Sequence, residues 1–456
     1  MSFITTSNPA NGETLQTYEV FSFDTVKLKI EQADARQKLW SQKPFTERST
    51  LLEKVATILE KKSEELSILM ANEMGKPVTA GKSEVEKCAW VCRHYADHAA
   101  EYLADKNINT EKTKSYIHHT PLGVILAVMP WNFPLWQVMR FAAPAIMAGN
   151  TAVLKHASNV TGSALALEEI FSEAGSNEGL FTTLVLPSDR VAKVIEHDLI
   201  RAVTVTGSGP AGSAVAAKAG EELKKCVLEL GGSDPYIVLH DADLELAAQI
   251  CADSRMINGG QSCIAAKRFI VTEEVHDQFV EMLVNNINNK VMGNPHNKDV
   301  DYGPQARDDL RNELHDQVTK SISKGAKLLL GGEVPEKPGA WYPATVLSNV
   351  KKGMPVYDQE TFGPVSAIIK ATDEADAIQI ANDTIYGLGA AVFTQDEERG
   401  EQIAAHQLNA GSCSVNDMVT SDPRLPFGGI KQSGFGRELS DLGIKEFVNA
   451  KTVTVK

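Results

Sequence analysis

The sequence predicts an α/β protein built on parallel sheets, and three observations carry that expectation. From Pro130 onward apolar and amphipathic runs alternate: "NTAVLK", "TGSALALEEIFSEAG", "RAVTVTG", "SAVAAKAGEEL" and "CVLELGG" read strand, helix, strand, helix, strand. After Gly232 the alternation resumes, with "PYIVL" as a strand and "ADLELAAQICADSRMIN" as a helix. The chain has 456 residues, 43% hydrophobic and 23% charged, which is ordinary for a soluble enzyme and sufficient for two or three domains.

Each element follows from local pattern. Residues 24–105 read as helices, because Leu51, Leu52, Val55, Ile58, Leu59, Leu66 and Leu69 recur at helical spacing. Gly75 and Pro77 stop that run. "SYIHHTPLGVILAV" reads as two strands around a Pro-Leu-Gly turn. "KRFIVT", "PVSAIIKA" and "AAVFT" are further strands, and the chain ends in a β-prone "KTVTVK". No internal repeat and no low-complexity segment interrupts this order.

Several function classes are disfavoured. Lys and Arg total 45 against 59 Asp and Glu, a net charge of −14, which argues against a nucleic-acid surface and against anionic membranes. The N-terminus lacks the basic and apolar regions of a signal peptide, and no 18-residue apolar run predicts a spanning helix. The six cysteines form no CxxC and no zinc-like cluster, so no metal site is expected and a cytoplasmic protein with reduced thiols is the simplest reading.

Four stretches could carry chemistry. Cys263 follows Gly259, Gly260, Gln261 and Ser262, which is poor core composition, and the glycines would let backbone approach a ligand. Cys88, Cys92, Cys226 and Cys251 read as structural, and Cys413 is open. Asn132 lies in "MPWNFPLWQ", where the prolines exclude regular helix or central strand; it is either a turn residue or an amide donor for a developing oxyanion. Glu229 sits in an apolar strand before Gly-Gly. Gly207, Gly209 and Gly212 form a literal G-x-G-x-x-G upstream of it, so Glu229 is either a ribose ligand or a buried general base. Lys155 in "KHAS" ends a strand, where it either reaches a phosphate or ribose or is simply solvated.

Taken in order, "PWNFP", the Gly-Ser turn, "ELGG", "GQSC", "ETFGPV" and "PFGGIKQSGFGRE" resemble the aldehyde dehydrogenase superfamily over nearly the whole chain. The resemblance implies a Rossmann-like cofactor domain, an α/β catalytic domain and a small β oligomerisation arm. These would span 1–110 with 122–231, then 232–430, then 111–121 with 431–456. It implies a homodimer or homotetramer, with NAD or NADP as cofactor. It assigns Cys263 as nucleophile, Asn132 as oxyanion donor and Glu229 as the base that activates water against a thioester. Trp131, Lys155, Ser158, Gly207, Ser208, Leu230, Glu360 and Phe362 fall to cofactor binding.

Two departures qualify the resemblance. Ser158 stands where NAD-specific relatives often carry a glutamate, so NADP is expected to be accepted, with the preference open. Arg140, eight residues after Asn132, matches an arginine that grips the distal carboxylate in relatives acting on succinate semialdehyde. A second such arginine, six residues before the cysteine, is Ile257 here; Arg255 lies nearby, and Arg424 is the expected substitute. Succinate semialdehyde oxidation to succinate is therefore expected, with neutral or other ω-carboxy aldehydes as the alternative. An acylating or phosphorylating dehydrogenase would not need Glu229, and a non-catalytic nucleotide-binding protein would not need Cys263, Asn132 and Glu229 together.

Overall fold

The structure is a computed structural model that describes residues 2–456. Two sheets dominate it. The first has six strands in the spatial order Gly434–Phe435, Lys225–Glu229, Ile200–Thr206, Val124–Met129, Thr151–His156 and Phe181–Thr183. All pair in parallel except Gly434–Phe435, which runs antiparallel to Lys225–Glu229. The second has seven strands and takes all of them from residues 235–415. Helices cover both faces, so the central strands are buried on each side and read as continuous apolar runs.

Local chemistry explains where the elements start and stop. Ser22 caps Phe23–Trp40 by accepting from the Thr25 N–H at 3.1 Å, and Asp243 caps Leu244–Met256 by accepting from Leu246 at 3.1 Å. The 45–74 helical run is two helices, Phe45–Lys61 and Ser63–Met74, and the second ends at Gly75 with φ +78. Val78–Tyr102 follows directly on Pro77. This long helix packs on Trp136–Met147, every residue of which is buried. An N-terminal hairpin, Phe3–Ser7 with Thr14–Glu19, was not anticipated, because its strands are short and largely solvent-facing.

The small third sheet differs in its limits from the expected arm. It consists of Val448–Val455, Lys114–Pro121 and Lys106–Asn107, in that order. Residues 434–435 extend the six-stranded sheet instead, and Ser440–Lys445 is a short helix. Only the last strand of the 431–456 segment therefore joins the arm, because Gly434 fits closely against Leu228 where a side chain would collide. Among the described residues no helix is long and apolar enough to cross a membrane, no cluster of His, Cys, Asp and Glu could hold a metal, and all six cysteines are free.

Candidate active site

The loop bearing Cys263 is built by left-handed backbone. After the helix ending at Met256, Asn258, Gly259 and Gly260 adopt φ of 53, 61 and 76. Glycine is required at 260, where any Cβ would strike the Gly363 carbonyl. Asn258 is tethered by its own side chain: Nδ2 donates to the Asn132 carbonyl at 2.8 Å and to the Gln261 carbonyl at 3.1 Å. Lys267 Nζ donates to the Cys263 carbonyl at 2.6 Å and the Ser262 carbonyl at 3.0 Å. Arg255, buried, donates to the Gly260 carbonyl at 2.6 Å. It props this loop, and Ile257 takes its place in the pocket wall.

Cys263 keeps partial solvent contact, yet burial of its sulfur dominates and pushes the thiol up to about 12, against the lowering charges of Arg140 and Lys267. Asn132 is 4% exposed, and its amide nitrogen donates to the Gln261 carbonyl at 3.1 Å. The Pro-Trp-Asn bend is thus stapled to the cysteine loop from both directions. Cys263 and Asn132 line one cleft together.

That cleft is walled by Trp131 and Phe362, whose rings meet edge-to-face at 5.6 Å, and by Leu230, Glu360, Gly207 and Ser208. Its floor at one end is the N-terminus of Gly209–Glu221, capped by Ser208, which accepts from Ala211 at 3.4 Å. A Cβ at Gly209 would meet nothing within 4 Å, and one at Gly207 only Ala211 at 3.9 Å, so the turn is open on that side; the Gly207 N–H is taken by the Glu229 carbonyl at 3.0 Å, which leaves the Ser208 and Gly209 N–H groups for an anion. Gly212 is different: a Cβ there would drive into Leu230. The third glycine of the motif serves packing between helix and strand. Glu360 accepts from the Gly232 N–H at 3.0 Å and lies 3.6 Å from Lys267. Lys155 and Ser158 lie outside this lining, at the carboxyl edge of the neighbouring strand. Lys155 is in register with Val128, and Val128 with Val205, just before the Gly207 turn. Burial lowers the Lys155 ammonium to about 8. Open helix amides, an aromatic wall and a buried lysine along one edge fit a dinucleotide.

Glu229 is placed unlike the others. Its carbonyl accepts the Gly207 N–H at 3.0 Å, so its backbone anchors the glycine turn. Its carboxyl is buried and has no hydrogen-bond partner, and it lines neither the cleft nor the chamber described next. It lies against Gly428, where a Cβ would come within 2.7 Å of Oε1. Burial and the neighbouring Glu438 push its pKa well above the carboxylate range, while Arg140 and Arg437 oppose this.

A second chamber adjoins the same thiol. Cys263 and Gln137 belong to the walls of both spaces. Phe133, Trp136, Met256 and Ile264 make this chamber largely apolar, and Arg140 stands in its wall. Arg140 is 2% exposed, ion-paired with Glu438, and covers the Phe427 ring at 4.6 Å. Its Nη2 has no hydrogen-bond partner among the described residues. Arg424 is not brought to the site: it is exposed, held bidentately by Asp422 at 2.9 and 2.6 Å, and stacked 5.5 Å from Trp90. Arg424 does not belong to the walls of the chamber in which Ile257 stands. Sequence reasoning missed Lys87, Gln137, Lys267 and Glu438; Lys87 and Glu438 meet partners far along the chain, Lys267 binds carbonyls four and five residues before it, and no local pattern marks any of them.

Comparison with known proteins accords with this geometry. The family model described as the aldehyde dehydrogenase family matches residues 2–453. A Synechocystis protein named "Probable succinate-semialdehyde dehydrogenase [NADP(+)]" is 48% identical over 452 residues, covering 99% of each chain. The Escherichia coli protein named succinate semialdehyde dehydrogenase [NAD(P)+] Sad is 46% identical, covering 98% of this chain and 96% of that one. A crystal structure of succinic semialdehyde dehydrogenase from Streptococcus pyogenes, in complex with NADP+, is 38% identical with a TM-score of 0.97, covering 99% of each chain. On the family match across residues 2–453 and on these full-length identities, the chain belongs to the aldehyde dehydrogenase family.

Proposed function

We propose that the protein oxidises succinate semialdehyde to succinate, using NADP or NAD, through a thioester on Cys263. The observation that carries this is the shared position of Cys263: one thiol borders both the dinucleotide-shaped cleft and the apolar chamber with a cation in its wall. The relatives at 44–48% identity that are named for this substrate and these cofactors support the reading.

The chain's own groups divide the work. The Cys263 thiol, which burial holds protonated, releases its proton to water as Sγ attacks the aldehyde carbon, and the Asn132 amide receives the oxygen that becomes negative. A bound nicotinamide would supply the hydride acceptor. Trp131 and Leu230 would line the cofactor cleft, Glu360 would bind the nicotinamide ribose with Phe362 beside it, and Gly207 and Ser208 would approach the pyrophosphate. Lys155 would meet the adenosine ribose, and the neutral Ser158 would leave a 2′-phosphate unopposed. Glu229 then takes a proton from the water that cleaves the thioester. In its buried position Glu229 favours the protonated form, so this step requires its carboxyl to leave Gly428 and approach Cys263. Arg140 Nη2 offers an N–H to the distal carboxylate.

The test is a kcat/KM panel of succinate semialdehyde, butanal and longer ω-carboxy aldehydes with each cofactor. Succinate semialdehyde is expected to lead, with measurable NADP turnover and no dependence on coenzyme A or phosphate. Strong NAD turnover without NADP turnover would contradict the Ser158 argument. A thiol-independent activity in Cys263→Ala would contradict the nucleophile. Free thiols and the absence of a described membrane-length helix accord with a cytoplasmic enzyme.

A further inference from the structure

The cations of the substrate chamber are not equivalent. Lys76 is ion-paired with Glu84, Arg140 with Glu438, and Lys290 with Asp253 at 2.6 Å. Asp301, also in the wall, accepts the Val291 N–H at 2.7 Å beside Lys290. Among the described residues, Lys87 has no carboxylate partner. It projects from Val78–Tyr102 into the chamber and donates one hydrogen bond, to Ser421 Oγ at 2.8 Å. Its ammonium lies 4.6 Å from the Trp136 ring centroid. An ammonium has three donors, so two remain for an incoming group.

We propose that Lys87 is the specificity-determining cation of the chamber, receiving the distal carboxylate of the aldehyde beside Ser421. This rests on the reading that the substrate is an ω-carboxy aldehyde, and it deepens that reading. The Arg140–Glu438 pair contributes a directed N–H but little net charge. Lys87 contributes the unmatched charge, in a site where water is scarce and charge-assisted hydrogen bonds are strong.

The charge state of Lys87 supports the geometry. The charged or titratable groups facing it are Arg140 on Trp136–Met147, Asp422 on the loop that carries Ser421, and Glu84 and Cys88 on its own helix. Burial first, and then Arg140, lower the ammonium to about 8, against the raising influence of the others. Asp422 is already bound by Arg424. A carboxylate arriving at Lys87 therefore meets a cation that lacks a counter-ion. As pH rises through about 8 the amine loses its proton and its attraction for an anion.

The experiment measures kcat and KM for succinate semialdehyde and for butanal in the wild type, Lys87→Met and Lys87→Arg, from pH 6.5 to 9.5. Lys87→Met is expected to lower the ratio of the two kcat/KM values about tenfold or more, mainly through KM for the anionic aldehyde. Lys87→Arg is expected to restore much of the ratio. The wild-type KM for succinate semialdehyde should climb above pH about 8, and Lys87→Arg should remove that rise. A Lys87→Met enzyme that kept the wild-type ratio, or lost kcat equally for both aldehydes, would overturn the proposal. A wild type with no preference for the anionic aldehyde would instead overturn the substrate reading itself, and this proposal with it.

Discussion

At Glu229 the main chain and the side chain have separate tasks. The carbonyl holds the glycine turn through Gly207, while the carboxyl is buried on the side of Gly428, Glu438 and Arg140. The sequence motif alone could not separate a ribose ligand from a base, because both place a glutamate at the end of a strand after G-x-G-x-x-G. The contact of the carboxyl with Gly428 and the influence on it of Arg140, a residue of the substrate chamber, favour the base reading over the ribose reading. Glu229→Gln is expected to slow thioester hydrolysis by roughly 10²–10⁴ while leaving the first-turnover burst of reduced cofactor and the dinucleotide Kd in place. A collapse of dinucleotide affinity would restore the ribose reading. Cys263 and Asn132 stand out as candidates because the glycines and prolines around them are poor core or helix composition, and the family resemblance supplies their proposed roles. Lys87 was not: a lysine in an amphipathic helix is normally solvated, and it is covered here by Trp136 and by the loop at Ser421, 334 residues away.

Among the elements, the strand–helix unit from Ile200 to Glu221 shows which motif positions matter physically. Gly209 faces open space, whereas Gly212 lets the helix lie on Leu230, the residue that also walls the cleft. Gly212→Val is expected to cost about 1–3 kcal/mol through overpacking. It should also weaken dinucleotide binding, read by thermal unfolding and by quenching of the cleft tryptophan. Gly209→Ala should instead raise the stability by about 0.4–1 kcal/mol, by restricting the unfolded chain where the native backbone is helical. Equal effects at the two positions would remove the distinction. Elements with strong periodicity, such as Val78–Tyr102 and Ile200–Thr206, were readable from sequence. Short ones such as Phe181–Thr183 and Ser412–Val415 were not, since three or four residues carry no period and owe their conformation to the strands beside them.

In the molecule as a whole, the three-stranded sheet leaves Val448–Val455 as an edge, paired on one side with Lys114–Pro121. An exposed eight-residue edge strand is a ready template for another copy of the chain. We expect the full chain to sediment as a dimer or tetramer, and a chain ending at Phe447 to sediment as a smaller particle; an unchanged mass would exclude this edge as the contact. The position of Cys263 in two walls has a kinetic meaning as well. The two rooms share only Cys263 and Gln137 among their walls, so a nucleotide lodged in one would be expected to leave the other free for aldehyde and acid. The sulfur, with Gln137 beside it, thus forms the threshold between two separately furnished spaces.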